Sequence, residues 1–155
     1  MGYSSSFFIA SNARLSELRL VAGGNPYDVC LAALPPESNT STNGLSWDDV
    51  VRLVGHLSGW EDQRVLAGMN VLIDNGNDYE VRELAGDLTL ALASGNTSEE
   101  SADALRQMPD WCGSDTWCYQ DDVQRGLQQL NALAVEAATT GTRLFWCCFD
   151  TDLLK

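Results

Sequence analysis

The chain carries a single lysine, Lys155, and a single histidine, His56, in 155 residues. Nine basic residues against 22 acidic ones leave a formal charge of −13. That balance argues against a nucleic-acid-binding surface, because neutralising phosphates takes clustered Lys and Arg. No apolar run approaches the roughly 18–20 residues that cross a bilayer, so no membrane span is expected. Neither GxGxxG nor a Walker loop is present, which removes both familiar phosphate cradles. The Cys-x-x-Cys spacing of a thioredoxin-like redox pair is missing as well. With one histidine, Ser-His or Cys-His catalysis would have to use His56. Gly55-His56-Leu57-Ser58-Gly59 places its serine one position too late for a nucleophile elbow.

What is present fits one globular domain over 1–155. Apolar residues make up 45% of the chain and charged residues 20%, which is enough to build a core and excludes wholesale disorder. Residues 1–10 (MGYSSSFFIA) lack the cationic start and the apolar stretch of a secretory signal. Met1-Gly2-Tyr3-Ser4-Ser5-Ser6 fits the loose myristoylation pattern, but no basic cluster follows to supply a second membrane signal. Five cysteines form an odd set, and Cys30, Cys147 and Cys148 lie in apolar runs. These features favour a cytoplasmic location.

The chain reads as α+β. Tyr3–Ala10 is dense in strand formers, Ser11 and Asn12 are helix caps, and Gly23-Gly24 is a helix stop before a second apolar run at 27–34. That order predicts strand–helix–strand with a right-handed parallel crossover. Pro35–Gly44 offers nothing larger than threonine to bury, and a loop is expected over 35–45. Helical spacing then predicts five helices: from Ser46 to Leu57, 60–73, 78–93, a short one around 102–108, and 121–138. Ser46 with Asp49, and Thr97 with Glu100, resemble capping boxes. Leu144–Phe149 is continuously apolar, as suits a strand covered on both faces. The expected fold is a small sheet of about three strands (near 3–10, 27–34 and 143–149) packed against five to six helices.

The densest chemistry lies in Asp110–Tyr119, DWCGSDTWCY. Cys112 and Cys118 stand too far apart for a zinc ligand pair, and Cys147 and Cys148 are neighbours that point to opposite faces of a strand. A Cys112–Cys118 disulfide is sterically conceivable but out of keeping with a reducing compartment. Asp74–Glu80 fails the calcium-loop pattern, since position 6 is Tyr79 and position 12 is Ala85. No metal site and no cofactor is expected. His56 falls beside an apolar stripe at a helix end, where a structural role and a favourable helix dipole suffice.

Charge carries more information. Between Ser46 and Arg125 lie 16 acids and five arginines, which is −11 of the total −13. Consecutive pairs at helix starts are partly compensated by the dipole, but the surplus repels itself and is relieved by a cationic partner. The expected function is therefore that of a non-enzymatic acidic binding protein, of inhibitor or immunity type, neutralising a basic protein such as a nuclease toxin. Its expected contact residues are Trp111, Trp117 and Tyr119 with Asp110, Asp115, Asp121, Asp122, Glu61 and Asp62. Two alternatives are a small carboxylate- or His/Cys-dependent enzyme, and a structural or regulatory subunit whose acidic surface serves solubility.

Overall fold

Strand β1 (Tyr3–Ala10) pairs antiparallel along its whole length with β5 (Arg143–Asp150), so both ends of the described chain meet in one sheet. The computed structural model describes residues 3–11, 39–74, 79–113 and 117–150. Five strands follow the order β2-β1-β5-β4-β3, with β2 at Asn39–Ser41, β3 at Met69–Asp74 and β4 at Tyr79–Leu84. Every pairing is antiparallel. The described helices are α1 (Trp47–Ser58), α2 (Asp62–Gly68), α3 (Gly86–Ala93), α4 (Glu99–Arg106) and α5 (Gln120–Thr140).

The α+β class stands, but the sheet is larger than the three strands expected. Two of its members come from segments whose spacing suits helices, 60–73 and 78–93. Helix α2 stops at Gly68 and α3 starts only at Gly86; between them Met69–Asp74 and Tyr79–Leu84 pair as the β3–β4 ribbon. Val71, Ile73, Tyr79 and Val81 are β-branched or aromatic, and two-residue alternation overrides the weaker helical match. Within the expected loop at 35–45, residues 39–41 join the sheet as β2. The expected strand at 27–34, its preceding helix and the parallel crossover lie outside the described residues.

Alternation divides the sheet into two faces. Phe7, Ile9, Leu144 and Trp146 join the helical core, together with Met69 and Leu84. On the other face Phe8, Phe145, Val81 and Cys147 are also buried, and the rings of Phe8 and Phe145 stack at 5.3 Å. Burial on both faces accounts for the unbroken apolar run of β5, the middle strand of the five. Helix α5 packs between α3 and α4 and contacts β1 and β5. Its Leu127, Leu130 and Ala134 form the centre of the core with Val50, Val54 and Leu88.

Helix ends follow local chemistry. Ser46 caps α1 by accepting from the Asp49 N–H at 3.2 Å, and Gly59 ends it at φ +77°. Ser98, one residue later than the Thr97 box suggests, caps α4 by accepting from the Ser101 N–H. The Asn131 amide on α5 donates to the carbonyls of Leu92 and Ala93 at 2.9 and 3.1 Å, covering carbonyls at the end of α3.

Candidate interaction surface

The described parts of the unusual 110–119 segment are held by a buried carboxylate. Asp49 is 1% exposed. Its Oδ1 accepts from the Cys112 N–H at 3.2 Å and its Oδ2 from the Gly113 N–H at 2.9 Å, while Arg52 approaches Oδ1 at 3.4 Å. The first-turn acid that resembled half of a capping box thus ties α1 to a loop more than 60 residues away. Two N–H donors and a guanidinium replace the water that a buried carboxylate forfeits.

Tryptophan 117 is expected to be a contact side chain, yet it is only 6% exposed. Its Nε1–H donates to the Asn43 carbonyl at 2.8 Å. Its ring lies over Gly126 so closely that a Cβ there would sit 2.3 Å from it. Trp117 therefore belongs to the core, and its indole is not part of the exposed surface. Trp111 is half-buried against that core. Tyr119 is 68% exposed, as a contact residue requires. Asp115 lies outside the described residues.

The carboxylates fall into two groups. Asp49, Glu80, Glu83, Asp103 and Asp122 each pair with an arginine. Asp48, Glu61, Asp62, Asp87, Glu99, Glu100, Asp110 and Asp121 are exposed and have no ion-pair partner among the described residues. Two of the second group, Glu61 and Asp62, line one cleft. This cleft of about 730 Å³ is lined by Arg52, His56, Trp60, Glu61, Asp62 and Met108, among others. His56 bridges from this cleft to α4: its Nε2 lies 2.7 Å from the Ser101 carbonyl and 3.0 Å from the Ser101 hydroxyl. Since a carbonyl only accepts, Nε2 carries a proton there. Ser101 shares the first turn of α4 with Glu99 and Glu100. The Gln120 amide in turn donates to the Glu99 carbonyl at 3.5 Å, beside Asp121. These contacts connect the segments that carry Glu61 and Asp62, Glu99 and Glu100, and Asp121, through His56, Ser101 and Gln120. Asp110 follows Met108 by two residues, and the Trp111 N–H donates to the Met108 carbonyl at 3.0 Å.

Of the expected contact residues, Glu61, Asp62, Asp110, Asp121 and Tyr119 are exposed. Asp122 is drawn into a pair with Arg125 at 3.5 Å. His56 and Met108 were missed as lining residues, because their proximity depends on how α1, α2 and α4 meet. Among the described residues no group of three or more His, Cys, Asp or Glu side chains is placed to hold a metal ion. No helix among them is long and apolar enough to cross a membrane. Comparison with protein-family models, curated proteins and solved structures yields no match.

Proposed function

We propose that the chain is a non-enzymatic acidic binding protein, of inhibitor or immunity type, that occupies the substrate groove of a basic protein such as a nuclease toxin. The observation that carries this reading is the exposed pair Glu61 and Asp62 in the His56 cleft, with no ion-pair partner among the described residues, together with Glu99, Glu100 and Asp121 on the segments that His56 and Gln120 tie to it. Among the described residues none of these acids forms an ion pair with arginine, and a cationic surface relieves their mutual repulsion. Three of the pairs in which they lie sit in or beside first helical turns, where backbone N–H groups stabilise the carboxylates in the unbound protein. Such charges act chiefly on the association rate, while Tyr119 and the exposed Met108 supply desolvated contact area.

The test is affinity capture from the native host with the wild-type chain, at low and moderate salt, followed by stopped-flow association with the captured protein. A basic protein is expected, with an association rate that falls as salt rises. The double variant Glu61→Gln/Asp62→Asn should slow association roughly three- to tenfold with little change in dissociation. Failure to recover any basic protein at either salt concentration overturns the proposal.

A further inference from the structure

The His56 cleft is built around a bare Cα. A Cβ on Gly55 would lie 2.8 Å from the Trp60 carbonyl oxygen and 3.7 Å from Asp62 Oδ1, so the turn after α1 folds directly onto this residue. The carbonyl of the same glycine accepts from the Gly59 and Trp60 N–H groups at 2.9 and 3.1 Å, which fixes that turn. The Glu61 and Asp62 carboxylates thus share a cleft of about 730 Å³ with the Trp60 indole and the 40%-exposed Met108. The Trp60 carbonyl accepts no hydrogen bond from the described residues. Arg52, which also lines the cleft, is held by the buried Asp49. Beside the cleft, Trp60 carries a guanidinium of its own: Arg64 Cζ lies 3.8 Å from the ring centroid. Arg64 is exposed and has no ion-pair partner among the described residues, so attraction to the ring holds it there.

We propose that this cleft seats an arginine side chain of the basic partner, with its guanidinium on the Asp62 and Glu61 carboxylates and its stem along Trp60 and Met108. The proposal rests on the reading of the chain as an acidic binding protein and names the residue type that the partner contributes. Charge complementarity alone would admit lysine equally. The remaining walls separate the two: a guest here meets two carboxylates, a carbonyl without a donor, an indole and a thioether. Guanidinium brings five N–H donors in one plane, stacks on aromatic rings and sheds its water readily, whereas ammonium is a compact and strongly hydrated charge. The aliphatic stem of arginine covers apolar surface while its head stays with the carboxylates. Arg64 competes with the guest for the same ring.

The test titrates the full chain with N-acetyl-arginine amide, and with N-acetyl-lysine amide as the equally charged comparator. Nuclear magnetic resonance follows the Trp60 indole N–H and the Gly55, His56 and Asp62 amides. Saturable shifts at these signals are expected, with half-saturation by the arginine probe at a concentration about three- to tenfold below that of the lysine probe. Glu61→Gln/Asp62→Asn should raise the arginine value about fivefold. Arg64→Gln vacates the ring and should tighten the arginine probe about threefold, and by more than it tightens the lysine probe. Equal half-saturation for the two probes, shifts spread over the other acidic helix starts, or equal gains in Arg64→Gln would overturn the proposal. The outcome is separable from that of partner capture. Selective arginine binding in the cleft with no basic protein recovered refutes the acidic-binder reading and leaves a guanidinium site. A recovered basic protein whose association is unchanged by Trp60→Leu, in a variant shown by circular dichroism to be folded, refutes the arginine seat alone.

Discussion

Replacing Asp49 by asparagine keeps the side chain's shape and removes the charge that fixes the aromatic loop. In the wild type both carboxylate oxygens are used, one by the Cys112 N–H and one by the Gly113 N–H. An amide offers only one acceptor, so its NH2 group must face the second backbone donor. Hydrogen bonds to a charged acceptor contribute about 1.5–3 kcal/mol each, and neutral ones about 1. The loss of one bond, the weakening of the other and one donor–donor opposition together cost about 2–3 kcal/mol. Water reaching the exposed Cys112 backbone keeps the figure at that lower end. For a chain of this length, that lowers Tm by roughly 5–10 °C. Urea denaturation followed by far-UV circular dichroism measures the loss, and amide exchange at Cys112 and Gly113 localises it. Asp48→Asn, an exposed acid in the same helical turn, is the control and should stay within about 0.5 kcal/mol of wild type. A cost for Asp49→Asn no larger than the control's, with both loop amides still protected, would refute the assignment of Asp49 as the loop's anchor.

Other substitutions probe neighbouring features. Gly126→Ala drives a methyl group into the Trp117 ring, with 2.3 and 2.5 Å separations, and should cost about 2–3 kcal/mol in chemical denaturation. A red-shifted tryptophan emission in the folded state would accompany it. Ser98→Ala removes the acceptor for the Ser101 N–H and should cost about 1 kcal/mol, read as a shift in urea midpoint at constant m. The Cys147 thiol is pushed up to about 12, first by burial, and Cys148 to about 11 for the same reason. Above the ordinary thiol range the unfolded chain sheds these protons while the folded chain retains them. Stability from this source is therefore complete below pH 9 and is lost between about pH 9 and 12. Stability measured against pH should fall less steeply in that window for Cys147→Ala than for wild type; identical slopes would sink the argument.

Some of this architecture could be read from residues alone, and the exceptions have physical causes. The run Leu144–Phe149 announced a doubly covered strand, Ser46 and Gly59 set the limits of α1, and Gly141 ends α5. The ribbon β3–β4 was obscured because Val65, Leu66, Met69 and Leu72 fall at helical spacing as well as on a short helix followed by a strand. Asn75-Gly76 between two runs rich in Val, Ile and Tyr was the hairpin cue that spacing overrode. At the surface, charge counting located exposed acids, but pairing with arginine is a property of packing. Asp122 and Asp121 are neighbours in sequence, and among the described residues only Asp122 has an arginine partner. The burial of Trp117 rests on a glycine nine positions later inside α5. A glycine in mid-helix costs about 1 kcal/mol relative to alanine, and that local expense was the available sign of a close neighbour.

The order β2-β1-β5-β4-β3 has a consequence for how the molecule is assembled. Until residues 143–150 arrive, the amino-terminal ribbon and the β3–β4 ribbon have no strand in common, and each presents an open flank. The keystone follows the other four described strands in the chain, so its pairing with β1 is a long-range event, of the kind that slows folding. A chain halted at Gly141 would retain all five described helices yet have nothing to lock its two ribbons together.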